Sequence, residues 1–381
     1  MLVILGTGLA GYMLAKEWRK LDAHTPLVMI TADDGAFYSK PLLSTALTQS
    51  KTAEQLIIST ADTMAQELNA HILCGVTVKQ IDPARNQIIL EDQSQLAYSK
   101  LVIACGAKKN RPSLQGDAVI DLQTVNSLVE YRRFRHWLSG KKHLAILGSG
   151  LVGCEFANDL INIGYQVTVV APEAYPLASL LPLAAGKLLQ ELLSEQGINW
   201  HLDSSMETLN YLGQQIKIQL TNQKELIVDG VFAAAGLQPE TALASNAGIR
   251  VNRGICVDRK LQTNIPAIYA LGDCAEVDGQ VQMYVAPLLQ CAKALAKILS
   301  GGQEPVNYPI MPIVLKTPAL PLVFCPPPAG MTGAWRQEGA GHHLKMLFYD
   351  SADQLRGFVL AGDKIRDKMV LAKQLPVLFS I

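Results

Sequence analysis

Gly6-Thr7-Gly8-Leu9-Ala10-Gly11 stands between the apolar run Leu2-Val3-Ile4-Leu5 and the stretch Leu9–Leu21, where Leu9, Tyr12, Met13, Ala15 and Trp18 recur at helical spacing. The reading of these twenty residues decides the fold. Gly6 permits a tight turn out of a strand, Gly8 lets the backbone approach a pyrophosphate, and Gly11 lets the helix pack close to the strand. The helix start, with Leu9 and Ala10, offers unpaired N–H groups and the positive end of the helix dipole. A lone motif of this kind is weak. Here the strand, the turn and the helix agree, and they predict a dinucleotide site.

The unit recurs. Gly148-Ser149-Gly150-Leu151-Val152-Gly153 lies between the strand-like Leu144–Leu147 and the helix-like Val152–Ile163, with a second strand pattern at Gln166–Val170. Two such motifs predict two dinucleotides. Each should be followed by an acid for the adenosine ribose. The candidates are Asp33, after Leu27–Ile30, and Glu173, after Val170. Both lie three residues past the strand end, looser than the fingerprint asks, and for Glu173 a solvated loop acid is the competing reading. No Arg or Lys falls within residues 171–175 to meet a 2′-phosphate, which favours NADH over NADPH.

Composition limits the rest. The chain has 381 residues, with 33 Lys+Arg against 33 Asp+Glu. The zero balance supplies no overall field for nucleic acid or an anionic membrane. With 49% hydrophobic and 17% charged residues, the chain is far from the disordered regime. Seven scattered cysteines without a CxxC pair suit a reducing compartment. Met1 leads straight into an apolar strand, and no apolar run is long enough to span a bilayer, so a cytoplasmic location is expected. Further strands are expected at Leu101–Ala104, Gly230–Ala235 and Ala267–Leu271, a hairpin over Ile81–Leu96, and a helix over 283–299. A proline-rich passage, 305–328, opens a tail with paired strands at Leu344–Tyr349 and Leu355–Leu360. A helix over Asp363–Leu375 closes it, carrying Lys364, Arg366 and Lys368 on its polar side. The fold class is α/β, with two Rossmann-like dinucleotide-binding domains and a small α+β C-terminal domain.

One more segment, Thr263-Asn264-Ile265-Pro266-Ala267-Ile268-Tyr269-Ala270-Leu271-Gly272-Asp273, ends a strand in Gly-Asp. Taken with Gly6–Gly11, Leu101–Gly106 and Gly148–Gly153, it resembles the flavoproteins with two dinucleotide-binding domains, over about residues 1–300. The resemblance implies FAD held by the first glycine motif and by Gly272 and Asp273, the latter on a ribityl hydroxyl. It places Ala104 and Gly106 at the flavin, with Cys105 where Thr is commoner. NADH falls to the middle motif, with Ala235 and Gly236 at the return to the FAD domain. It divides the chain into an FAD domain (1–110 and 233–304), an NAD domain (111–232) and a C-terminal domain (305–381). An acid at Glu155 approaches the nicotinamide carboxamide in this family. A helix-dipole partner is the alternative role for it.

The implied chemistry is hydride transfer from NADH to flavin, with no catalytic side chain required. Relatives that relay electrons through a thiol carry it near Thr45, but Phe37–Thr45 contains no cysteine. Tyr38–Ser44 resembles the reductases that feed small iron proteins, and within those Gly6–Gly11, Ile30–Gly35 and Met311–Pro318 are most similar to the ones serving rubredoxin. The implied partner is rubredoxin or a similar small acidic electron-transfer protein. Ferredoxin, or the rubredoxin-like domain of a nitric-oxide-reducing flavoprotein, is the same-class alternative. A flavin-binding sensor with little turnover is the alternative of another class. The resemblance sets Lys40, with Pro41, and Lys316 beside the isoalloxazine, where each serves flavin or acceptor. Lys109 is a third candidate cation for the acceptor. His342-His343, read as a strand pair pointing to opposite faces, supplies no metal site. The tail is basic, with eight Lys+Arg against five Asp+Glu over 305–381.

Overall fold

The structure, a computed structural model, describes residues 1–376, so residues 377–381 of the expected C-terminal domain lie outside the described residues. The chain packs as two compact units. One comprises Met1–Lys40, Glu54–Lys108 and Leu237–Tyr308; the other comprises Pro41–Ala53, Lys109–Gly236 and Pro309–Ile381. The sequence reading had divided the chain in three. The second glycine motif, the basic tail and Pro41–Ala53 fall in one of these units.

The first unit is built on a five-stranded parallel sheet. Its order is Ile268–Ala270, Lys100–Ile103, Leu2–Leu5, Leu27–Ile30, His71–Leu73. The runs LVIL and LVMI are buried throughout, as expected for parallel strands covered on both faces. The helix Leu9–Arg19 buries Ala10, Tyr12, Leu14, Ala15 and Trp18 and packs against the helix Val285–Leu299. The expected hairpin over 81–96 is a three-stranded antiparallel meander, Val78–Asp82, Gln87–Leu90 and Gln95–Ala97. Its first turn passes through Asn86 at φ 51°, a backbone region Asn tolerates.

The second unit repeats the plan with four parallel strands, ordered Asn199–His201, Gln166–Val170, His143–Leu147, Gly230–Ala233. An antiparallel meander, Met206–Leu212, Gln215–Leu220 and Glu225–Val228, packs Leu209, Ile218 and Val228 into the same core as Ala145 and Val231. The tail forms a separate antiparallel sheet, ordered Ile313–Leu315, Leu322–Cys325, Leu355–Ala361, Lys345–Asp350, Gly333–Glu338. Val323, Leu347, Phe358 and Leu360 bury Leu371 and Leu375 against it. The expected helix over 363–375 is a 3-10 turn, Gly362–Asp367, followed by the short helix Lys368–Gln374. His342 and His343 lie on a 3-10 turn, Gly341–His343, not on a strand. His343 Nδ1 lies 2.9 Å from Asp363 Oδ1.

Candidate dinucleotide sites and the carboxylate latch

The two glycine motifs have nearly the same backbone. Gly6 donates to Ile30 O at 2.8 Å, and Gly148 to Val170 O at 2.9 Å. Their φ angles are 112° and 110°. A Cβ at Gly6 would sit 2.3 Å from Ala104 O, and one at Gly148 2.5 Å from Ala234 O. Both turns therefore require glycine on two grounds, conformation and contact. The next glycine in each motif is different. A Cβ at Gly8 or Gly150 would meet no atom within 4 Å. Each of these residues caps a helix that has no side-chain cap and no acid in its first turn. The helix starts are thus open, donor-rich mouths, and a pyrophosphate fits both.

In the first unit the loop after Ile30 carries Asp33 and Asp34. Asp33 Oδ1 accepts from Asp34 N at 2.9 Å, and Asp34 Oδ1 from Ala36 N at 3.0 Å. The Tyr12 hydroxyl donates to Gly35 O at 2.5 Å and pins the loop to the motif helix. Gly272 lies against that helix, where a Cβ would come within 2.8 Å of the Ala10 methyl. Asp273 is half-buried. Desolvation pushes its carboxyl above the usual range, and the Lys40 ammonium pulls it part of the way back. Asp273, Lys40 and the Gly6–Gly11 mouth, separate in the sequence, therefore belong to one unit. Cys105, next to Gly106, reaches the surface. Burial of its sulfur, with the Glu240 charge adding to it, nevertheless pushes its thiol up to about 12.

Desolvation raises all seven cysteines above the ordinary value, and none forms a disulfide. A thiolate nucleophile needs the opposite shift. Among the described residues no three His, Cys, Asp or Glu side chains converge as metal ligands, and no helix is long and apolar enough to cross a membrane.

In the second unit the buried Ser149 hydroxyl donates to Glu173 Oε2 at 3.3 Å. This contact sets Glu173 beside the motif, although it stands three residues past the strand. Val152, in the first turn of the motif helix, keeps 42% of its surface exposed at the mouth. Asn110 holds the return segment through Ala235 O at 3.1 Å and Gly236 O at 3.0 Å.

The motif helix Leu151–Asn162 buries three polar side chains, Glu155, Asn158 and Asp159. Glu155 is one turn into the helix rather than at its start, so the dipole role weighed from the sequence does not apply. Its carboxylate instead accepts from the Ser44 hydroxyl at 2.5 Å and from Lys316 N at 3.1 Å, with Lys316 Nζ at 3.4 Å. Lys316 Nζ also donates to Pro41 O at 2.5 Å. Asp159, one turn further, accepts from Leu47 N and Thr48 N, both at 2.9 Å. Burial raises the Asp159 carboxyl, and these donors oppose the shift. Two carboxylates spaced i, i+4 thus form a latch on the segment Pro41–Ala53. The structure brings together Pro41, Glu155 and Lys316 as a group. Ser44 and Asp159 were missed. The i, i+4 acids on a largely apolar helix were the available signal.

Lys109 is engaged within the same unit. Its ammonium donates to Thr124 Oγ1 at 2.7 Å and pairs with the Glu130 carboxylate.

Comparison with known proteins adds two family matches. Residues 1–293 match the pyridine nucleotide-disulphide oxidoreductases, and residues 305–375 match the rubredoxin binding C-terminal domain. The chain is 44% identical to the rubredoxin-NAD(+) reductase of Alcanivorax borkumensis, covering 99% of each protein. It is 43% identical to the rubredoxin-NAD(+) reductase of Acinetobacter baylyi, covering 98% of each. Among solved structures, the covalent putidaredoxin reductase–putidaredoxin complex aligns with a TM-score of 0.89 at 25% identity, covering 98% of this chain and 93% of that one.

Proposed function

The chain belongs to the pyridine nucleotide-disulphide oxidoreductase family, and from that premise we propose that it is an NADH-dependent FAD enzyme that reduces rubredoxin. The observation that carries this reading is the rubredoxin-binding match over 305–375, in the same chain as two open glycine mouths. Bound there, FAD would supply the chemistry that couples two-electron oxidation of NADH to one-electron reduction of rubredoxin, two rubredoxins per NADH.

The residues divide the work. Gly6, Gly8, Leu9, Ala10 and Gly11 would take the FAD pyrophosphate, and Asp33 the adenosine ribose. Gly272 would give close approach and Asp273 would accept from a ribityl hydroxyl, with Ala104 and Gly106 also on the flavin side. Gly148, Gly150, Val152 and Gly153 would hold the NADH pyrophosphate and Glu173 its ribose, while Ala235 and Gly236 line the return. Glu155 orients Lys316 and Pro41 within the second unit. Lys40 lowers the cost of charge at Asp273. No thiol takes part, consistent with seven raised cysteines. Seven free cysteines also favour a cytoplasmic location.

The test is steady-state reduction, with NADH, of purified rubredoxin, a ferredoxin and the rubredoxin-like domain of a nitric-oxide-reducing flavoprotein. Rubredoxin should give a kcat/KM at least about tenfold above the ferredoxin, a difference of about 1.4 kcal/mol. Equal values would overturn the assignment.

A further inference from the structure

The loop after Val170 carries an acid and receives a cation, and each is held by its own contacts. Glu173 is exposed, and the buried Ser149 of the second glycine motif donates its hydroxyl to Glu173 Oε2 at 3.3 Å. The bond leaves Oε1 for other donors, since a carboxylate accepts on both oxygens. The backbone is fixed as well. Glu173 O accepts from Asp203 N at 3.1 Å, and Ser149 O accepts from Leu177 N at 3.0 Å. Leu177 is 2% exposed and lies at φ 60°. A branched apolar residue keeps that left-handed conformation only where its surroundings impose it. One buried serine thus ties the motif to Glu173 through its side chain and to the turn beyond through its carbonyl.

The cation is Lys187, from the helix Leu183–Glu195. Its ammonium donates to Ala174 O at 3.2 Å and to Gln190 Oε1 at 3.0 Å. Both acceptors are neutral, so these bonds spend none of its charge on a carboxylate. Ala174 directly follows Glu173. The absence of Arg and Lys from 171–175 therefore does not empty the loop of positive charge, because the next helix returns one.

We propose that these opposed charges set the choice of coenzyme. Glu173, positioned by Ser149, accepts from the adenosine ribose hydroxyls and turns away the 2′-phosphate of NADPH, while Lys187 is a latent cation that would attract that phosphate were the acid absent or loose. Ser149 is a positioning residue and Glu173 and Lys187 determine specificity. A carboxylate facing a phosphate of roughly two negative charges is the repulsive element that such selectivity needs. The inference rests on the NADH-dependent reading and deepens it.

The experiment titrates FAD-loaded enzyme with NAD+ and with NADP+ and compares the two dissociation constants. The wild type should favour NAD+. Glu173→Gln should shift the ratio towards NADP+ by about tenfold at low salt, and Ser149→Ala by about threefold. Glu173→Gln/Lys187→Gln should give back most of the tenfold gain, and high salt should shrink it. A ratio within about twofold of wild type in Glu173→Gln would overturn the inference while leaving the NADH assignment intact. Ser149→Ala that weakened both coenzymes equally would reduce the serine to a support for the loop and overturn its positioning role. A double variant that kept the whole gain would remove Lys187 from the scheme. A wild type that bound neither coenzyme would sink the NADH assignment itself.

Discussion

The two glycine motifs begin alike and then diverge. Through the turn and the first helical residues they match in φ, in the hydrogen bond to the neighbouring strand and in the open space at the second glycine. One turn later the first helix buries Tyr12, Leu14 and Ala15, and the second buries Glu155 and Asp159. The shared part is what a pyrophosphate needs. The divergent part depends on what each helix packs against. The first helix faces an apolar core; the second holds Pro41–Ala53 through buried carboxylates, at the desolvation cost seen in the raised Asp159. The acids after the second strands differ too: Glu173 is tied to its motif through Ser149, whereas Asp33 is turned to the local backbone.

This comparison can be broken at several points. The largest effect is expected from a carboxylate in each mouth. Gly8→Asp should leave the purified protein nearly colourless, with flavin absorbance below about a tenth of wild type. Gly150→Asp should keep the flavin but weaken NADH binding by about a hundredfold, from the cost of an unpaired anion against the pyrophosphate. Loss of flavin from both variants would mean that the mouths are not assigned to separate dinucleotides.

The latch gives the next effect. Glu155→Gln should destabilise the second unit by about 2 kcal/mol, and Ser44→Ala by about 1 kcal/mol, read as shifts of the urea midpoint. Both should slow flavin reduction by NADH in stopped flow, with Glu155→Gln the slower. Unchanged midpoints would show the latch to be energetically idle.

Asp273 gives the smallest effect and one of opposite sign. Its carboxyl is raised in the folded apoprotein, so folding loses stability as pH rises from about 4 through that raised value. Asp273→Asn should therefore melt higher than wild-type apoprotein at neutral pH, with the gap closing towards pH 4, while binding FAD more weakly. A variant apoprotein that melts lower at neutral pH would contradict a desolvated carboxyl.

Much of this was legible in advance because it is local. Leu2–Leu5, Leu27–Ile30 and Gln166–Val170 match their strands to the residue. A continuous apolar run next to a glycine turn and a helical period leaves few alternatives. The paired strands of the tail were found for the same reason. The third strand of the first meander, Gln95–Ala97, was less visible, being short, exposed and polar. The tail helix was overextended because a 3-10 turn has nearly the same apolar spacing as an α-helix over six residues.

By itself, the sequence determined the two glycine mouths, their parallel sheets and a tail with a net positive charge, since each rests on neighbouring residues or simple counting. Only the tertiary structure decided where charge is spent. Ser44 reaches Glu155 across 111 residues and Lys316 reaches it across 161, and no local pattern encodes such pairs. The same folding engages Lys109 and Lys316 internally and leaves Arg366 and Lys373 outward. The physical reason is that charge adds along a sequence, whereas its availability depends on which carboxylates the fold brings within a few ångströms.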